Sequence, residues 1–285
     1  MEVMKKQWAH FLSQFGAAGL DDFGEHVGCN PYERRNNYRC AVDAKPPQLE
    51  VDTPAITLNE DRFHQMSKST DSEYVPALRL NWLTPYYDAV VGSTTRERTF
   101  KHALIRQANI QPGHQVLDLA SGTGTLTIWI KQQESLASVT GIDGDPEIIS
   151  IAKRKAANSG VDVNFDQGFS YQLPYAEAHF NRVLSSLFFH HLTLENKKRT
   201  AHELFRVLKP GAELHVADWG YPTSLLMRGL FYTVQLLDGF ENTNDNVQGK
   251  LIGVFKDAGF TDVVQTKTFS TVYGTLALYS ALKPS

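Results

Sequence analysis

The sequence predicts a doubly wound α/β sheet, and three observations predict it. From residue 115 onward, strand-like apolar runs alternate with helix-like periods, the pattern of parallel strands joined by crossover helices. The run Val116-Leu-Asp-Leu-Ala-Ser-Gly-Thr-Gly-Thr125 reads as a buried strand that ends in an acid, opens into a glycine-rich turn and continues as a helix over 126–133. Near the end of the chain, the runs 263–271 and 275–283 are joined by too few residues for a crossover, so they form an antiparallel hairpin.

The elements follow in order. Strands are expected over 115–119, 138–142, 161–166, 181–187 and 212–218, which with the hairpin makes seven. The helix after the second strand has Asp145 to cap its free amides, Pro146 at its first position and Gly160 to close its end. A helix over 194–208 stops at Lys209-Pro-Gly211, and two more run over 224–238 and 247–258, the latter stopped by Gly259. Upstream, Trp8, Phe11, Leu12 and Phe15 stand at helical spacing. Pro31, Pro46, Pro47 and Pro54 punctuate a polar, aperiodic stretch over 21–71. Helical pattern returns near Glu73, and an Arg/Lys-rich helix spans 95–109. Residues 1–75 therefore read as a helical and irregular extension or cap, and 76–285 as the main domain.

Composition bounds the function. The chain of 285 residues is 42% hydrophobic and 21% charged, ordinary for a globular protein, and its net charge of −3 offers no basic field for nucleic acid. Two cysteines, Cys29 and Cys40, lack C-x-x-C spacing, so neither a disulfide framework nor a thiolate metal site is expected, and no metal is assigned. No apolar run reaches the roughly 18 residues of a membrane span. With no leader pattern at the N-terminus, a cytoplasmic location is expected.

The glycine-rich turn points to a nucleoside ligand. Backbone without side chains at Gly122 and Gly124 lets a ligand come close, and the helix start supplies N–H groups. Nineteen residues after Gly124, the second strand also ends in an acid, Asp143, placed to accept hydrogen bonds from ribose hydroxyls. A dinucleotide site would have a third glycine, where Thr127 stands instead. Asp118, at the end of the first strand, would repel a pyrophosphate but suits an ammonium. A ligand that is a nucleoside at one end and an amino acid at the other fits both acids, and S-adenosylmethionine is such a ligand.

With these residues the chain resembles the class I S-adenosylmethionine-dependent methyltransferases. It is most similar to their small-molecule branch, which includes the ubiquinone/menaquinone-biosynthesis C-methyltransferases and bacterial phospholipid N-methyltransferases. The resemblance covers roughly residues 80–285 and rests on four ordered markers. These are the Val116 run, Gly141-Ile-Asp-Gly-Asp-Pro-Glu147, Gln172-Leu-Pro-Tyr175 and Glu203-Leu-Phe-Arg-Val-Leu-Lys-Pro-Gly211. It implies a Rossmann-like sheet of seven strands with the last one antiparallel. It implies that the loop Ala120, Ser121, Gly122, Thr123 and Gly124 approaches the cofactor and that Asp143 holds the ribose. Gly144 and Asp145 would lie beside the adenine, with Gly168, Phe169 and Ser170 at the next strand end, and the backbone around Ser186 would line the methionine arm. Two positions depart from the family. Ala120 replaces the first glycine of the turn, and Phe169 replaces an acid that binds the adenine amino group. Phe169 could stack on adenine instead, or Asp166 could reach over.

Methyl transfer from a sulfonium is an in-line displacement that draws mainly on alignment in a dry site. A base near the acceptor would add to it. His190 and His191, at the end of the fourth strand, are the candidates for acid–base work or acceptor positioning, the alternative for His191 being a packed structural ring. Tyr86, Tyr87 and Trp219 could wall the substrate. The helix around Leu225 to Leu237 is apolar nearly all round, which suits a lid over an apolar substrate, a peripheral membrane contact, a second subunit such as a homodimer, or plain burial. The expected function is therefore an S-adenosylmethionine-dependent methyltransferase acting on a small, apolar or amphipathic molecule. The rival readings are a non-catalytic S-adenosylmethionine-binding partner protein and a nicotinamide-dependent oxidoreductase.

Overall fold

The computed structural model describes residues 96–285. The readings made for Trp8 to Phe15, the stretch 21–71, Cys29, Cys40, Tyr86 and Tyr87 lie outside the described residues. In chain order the elements are α1 (Glu97–Ala108), β1 (Gln115–Leu119), α2 (Thr125–Gln133), β2 (Ser138–Asp143), α3 (Pro146–Asn158), β3 (Asn164–Gln167) and β4 (Phe180–Ser186). A short 3₁₀ turn (Phe189–His191) follows. Then come α4 (Leu194–Val207), β5 (Leu208–Trp219), α5 (Leu225–Asp238), α6 (Phe240–Val247), α7 (Leu251–Asp257), β6 (Thr261–Thr271) and β7 (Gly274–Leu282).

The sheet order is β3-β2-β1-β4-β5-β7-β6. The first five strands pair in parallel, and β7, the last strand, runs antiparallel to both β5 and β6. This is the seven-stranded sheet expected, hairpin included. The order runs outward from β1 toward β3 on one side and toward β5 on the other. The crevice beyond the carboxyl ends of β1 and β4 is thus the switch point where such sheets bind ligands. Alternation along β1 sorts its side chains between two cores. Leu117 and Leu119 join Val183, Leu204, Val216 and Phe255 on one face. Val116 joins Leu104, Leu126, Leu184 and Phe231 on the other. Asp118 follows Val116 in this alternation and meets α2.

The caps of α3 are as expected: Asp145 accepts from the backbone N–H of Glu147 and Ile148, Pro146 opens the helix, and Gly160 turns with φ +64°. Three boundaries differ. Strand β3 begins at Asn164 rather than 161, because Val161 N–H bonds back to Ala156 O at 3.3 Å and finishes the helix end first. Strand β5 begins at Leu208, before the Pro-Gly stop, because Leu208 pairs with Phe180 and Gly211 N–H bonds to Lys283 O at 2.9 Å. The helix expected over 247–258 is α7, which starts only at Leu251 because Gly249 (φ +74°) turns the chain there, and a further helix, α6, precedes the turn where none was expected. The α6 segment, Phe-Glu-Asn-Thr-Asn-Asp-Asn-Val, has weak helix propensity. Tertiary bonds hold it, among them Lys197 Nζ to Asn242 O (2.6 Å) and Asn246 Nδ2 to Asp218 Oδ1 (3.1 Å).

One face of α5 is buried through Phe231 and Val234 against the core, while Leu225, Leu226 and Leu236 on the other are exposed. Among the described residues no helix is long and apolar enough to cross a membrane.

Candidate active site

The β1–α2 loop turns through left-handed backbone at three places: Ala120 (φ +55°), Gly122 (φ +54°) and Gly124 (φ +78°). The two glycines serve different ends. A Cβ at Gly122 would meet nothing within 4 Å, so this peptide borders open space. A Cβ at Gly124 would lie 2.7 Å from Phe165 Cζ and 3.1 Å from Ala152 Cβ. Gly124 is therefore required for packing of α2 and the loop onto α3 and β3. Ala120 (φ +55°) occupies a conformation that costs a side-chain-bearing residue roughly 1–2 kcal/mol, so the alanine stores strain at this turn.

Asp143 closes the loop from the neighbouring strand. Its Oδ2 accepts from Gly122 N–H at 2.9 Å and its Oδ1 from Asp145 N–H at 3.1 Å. Burial pushes its carboxyl above the ordinary range, and the backbone donors of Asp145, Gly122 and Gly144 pull the other way. Gly168 N–H bonds to Asp143 O at 3.0 Å, so Gly122, Asp143 and Gly168 form one connected rim across β1, β2 and β3. Gly144 lies on the same rim, its carbonyl accepting from Gln167 Nε2 at 3.4 Å. Lys155 reaches the loop from α3, donating to Thr125 Oγ1 at 2.6 Å and to Thr123 Oγ1 at 3.3 Å. No local sequence signal marks this lysine, because the contact depends on how α3 crosses the sheet.

Asp118 is buried and accepts from Thr127 Oγ1 at 2.7 Å. Burial raises its pKa to about 6, against the opposing Thr127 hydrogen bond and the charge of Lys101. Thr127 thus occupies the third-glycine position with a buried, hydrogen-bonded side chain, which leaves no bare backbone there for a pyrophosphate.

Beyond β3, Ser170 turns away from the crevice and pairs with Thr200 Oγ1 on α4 at 2.8 Å, so its hydroxyl is structural, contrary to expectation. Phe169 is 41% exposed and stacks on Tyr171 at 5.5 Å. Asp166 accepts from Tyr175 OH at 2.9 Å. The third and fourth sequence markers turn out to be one clamp. Glu203 binds Arg206 through both oxygens at 2.8 Å and accepts from Leu173 N–H, while Arg206 donates to Leu173 O and Tyr175 O.

A second unit sits at the ends of β4 and β5. His190 is buried, with Nδ1 2.8 Å from Asp218 Oδ1 and Nε2 3.7 Å from Asp238 Oδ2. Burial works against charge on His190, but Asp218, and then Asp238, outweigh it and raise its pKa. The neighbouring ring of His191 lies 4.0 Å away, and burial followed by the charge of His190 lowers its pKa to about 3. His191 is a neutral ring, not a second acid. Asp218 accepts four hydrogen bonds: from His190, Asn246 Nδ2, Trp219 N–H and Phe188 N–H. Burial would raise its pKa, yet the His190 charge and these donors hold it below the usual range. Leu187 bends between the units with φ +55°, its N–H on Ala217 O at 2.8 Å. Ser186 ends β4 paired with Ala217. Trp219, expected as a substrate wall, is instead core: it is buried against Phe231 at 5.4 Å. Sequence reasoning missed Asp218 and Asp238. Asp218 carries the same signal as Asp118 and Asp143, an acid at a strand's carboxyl end, whereas nothing local marks Asp238.

The described crevice fits a nucleoside with an amino-acid tail. The peptide at Gly122 is open, the N-cap Gly124 offers α2 no side-chain cap, and the buried Ser121 Oγ has no hydrogen-bond partner. Each oxygen of Asp143 takes one backbone bond and keeps a lone pair for a hydroxyl.

Residues 116–211 match the family model described as a methyltransferase domain. Over this stretch and in its fold the chain resembles the class I S-adenosylmethionine-dependent methyltransferases. Among relatives, the ubiquinone/menaquinone biosynthesis C-methyltransferase UbiE of Blochmanniella floridana is 34% identical over 137 residues, 47% of this chain and 53% of that protein. UbiE of Shewanella pealeana is 28% identical over 207 residues, 65% of this chain and 80% of that protein. The demethylmenaquinone methyltransferase of Deinococcus radiodurans is 28% identical over 151 residues, 52% of this chain and 62% of that protein. This chain thus spans little more than half the length of the first and last of these. Solved structures share the methyltransferase-domain fold. A SAM-dependent methyltransferase from Methanosarcina mazei aligns with TM-score 0.51 at 21% identity, over 63% of this chain and 96% of its own. The [4+2]-cyclase SpnF aligns with TM-score 0.52 at 19% identity, over 65% of this chain and 81% of its own.

Proposed function

We propose that this protein is an enzyme that moves the methyl group of S-adenosylmethionine to a small, apolar or amphipathic acceptor, of the quinone-ring class named in its relatives. The observation that carries this reading is the bond between Asp143 and Gly122. It joins a ribose-binding acid to an open backbone loop at the sheet's switch point.

When bound, S-adenosylmethionine supplies an electrophilic methyl on a positively charged sulfur. The chain's residues do the rest. Asp143 takes the ribose hydroxyls on its remaining lone pairs. Gly122 lets the cofactor lie against bare backbone, and Ser121 Oγ gains the partner it lacks. Asp118 meets the ammonium, whose charge offsets what burial costs the carboxylate. Phe169, exposed at the rim, offers a ring face to the adenine, since Asp166 is held by Tyr175. At the acceptor end, Asp218 fixes Nδ1–H of His190 and leaves Nε2 to hold or take a proton from an acceptor hydroxyl. His191 positions that ring. Apolar surroundings keep water from competing for the methyl.

Incubation with radiolabelled S-adenosylmethionine and either a lipid extract or an aqueous metabolite extract tests this. Label should enter the lipid extract. Binding of S-adenosylhomocysteine with no label in either extract would instead support use of the same crevice without methyl transfer, a reading that the fold shared with a [4+2]-cyclase keeps alive.

A further inference from the structure

We propose that His190, His191 and Asp238 form a binding site for one divalent first-row transition-metal ion, with Asp218 as the outer carboxylate that fixes the His190 ring. One nitrogen of each histidine and one carboxylate oxygen of Asp238 lie within 4.8 Å of one another. A tetrahedral ion with bonds of about 2.1 Å would set its ligands about 3.4 Å apart. His190 Nε2 and Asp238 Oδ2 already stand 3.7 Å apart, close to that spacing.

The surroundings are those of a ligand set. Metal-binding histidines present one nitrogen to the ion and the other to a carboxylate. His190 does this, with Nδ1 on Asp218 at 2.8 Å, and Asp218 is itself held by Asn246 and two backbone N–H groups. His191 is pinned through its carbonyl by Asn242 Nδ2 at 3.2 Å. Asp238 is the last residue of α5, where the helix dipole disfavours an acid and favours a cation. Around the set stand Asp218, Asp238 and Asp245 against Lys197 and Lys250, and both lysines lean on Asp245. The balance is negative. Two imidazoles and one carboxylate select Zn²⁺, Co²⁺ or Fe²⁺ over Mg²⁺ or Ca²⁺. The Asp238 side chain is 24% exposed, which leaves an entry path and open coordination positions. Ion and proton are alternatives at His190 Nε2. In the loaded protein the open positions would take a hydroxyl oxygen of the acceptor; that use rests on the methyltransferase reading, whereas binding of the ion does not.

Untagged full-length protein, stripped with a chelator and dialysed, is titrated with Zn²⁺ by calorimetry and with Co²⁺ by visible absorption. One ion per chain and d–d bands of low-symmetry Co²⁺ are expected. His191→Ala and Asp238→Asn should each weaken Zn²⁺ about tenfold or more, while His179→Ala, an exposed histidine elsewhere, should not. S-adenosylhomocysteine affinity, measured on the same proteins, confirms that the variants are folded and reads the cofactor crevice separately. Absence of stoichiometric binding, or equal affinity in the folded double variant His191→Ala/Asp238→Asn, overturns the site.

Discussion

The carboxylate of Asp143 accepts a hydrogen bond from the backbone N–H of Gly122 at 2.9 Å, tying the end of one strand to the loop that leaves its neighbour. Asp143→Ala should therefore do two things. It removes the ribose acceptor, lowering S-adenosylhomocysteine affinity roughly tenfold to a hundredfold, and it strands the Gly122 and Asp145 amides, at a cost of about 1–3 kcal/mol. Calorimetric titration and urea unfolding measure the two separately; an unchanged dissociation constant would remove the basis of the ribose assignment.

The loop glycines should respond differently to alanine. Gly124→Ala drives a methyl into Phe165 and should destabilise the fold by about 2–4 kcal/mol. Gly122→Ala meets open space and should lose only about 1 kcal/mol, its damage falling on cofactor affinity instead. Ala120→Gly relieves left-handed strain and, net of the flexibility it adds to the unfolded chain, should gain about 0.5–1 kcal/mol. Urea midpoints for the three variants check this order.

Asp118 should write itself into the pH dependence. Its folded pKa, about 6, lies above the unfolded value of about 3.9, so ionisation costs more in the folded state. Its contribution to stability is greatest below about pH 4 and falls by about 3 kcal/mol as pH rises through 6. Asp118→Asn should flatten that decline in a pH series of unfolding curves. If the ionised form meets the cofactor's ammonium, affinity for S-adenosylhomocysteine should rise over the same interval in wild type and stay level in the variant.

The His190–Asp218 pair should be most stabilising in mildly acidic solution. His190 has a raised folded pKa, so its contribution is full below about pH 6.5 and is lost as pH climbs through the folded value. Asp218 has a lowered one, so its contribution is full above about pH 4 and is lost as pH falls through the folded value. Asp218→Asn should move the acidic limb of kcat/KM to lower pH, because the partner that holds the proton on His190 has lost its charge and the ring serves as a base down to lower pH. A limb at the same pH in this variant would show that His190 does not govern turnover.

The fold was legible because its signals are local. The acid-ended strand, the turn of Gly122 and Gly124, the Asp145-Pro146 cap and the short hairpin each act over a few residues. The α6 helix was not, since its Asn-rich sequence forms a helix only when Asp218, Lys197 and His191 bind it. Ser170 and Trp219 were misplaced for a related reason. Both sit at strand ends facing the crevice in sequence order, but Ser170 found Thr200 and Trp219 found Phe231.

The sequence by itself determined the seven strands in their order along the chain, the glycine turn and the acids at the strand ends that border it, because strand periodicity and glycine geometry are properties of neighbouring residues. Only the tertiary structure decided what each polar side chain does there. It buried Asp118 against Thr127, gave Gly124 to Phe165, and brought Asp218 and Asp238 to either side of His190 from a strand and a helix 28 and 48 residues away. Charge state and hydrogen bonding depend on distance and burial, and those are fixed only when the helices close over the sheet.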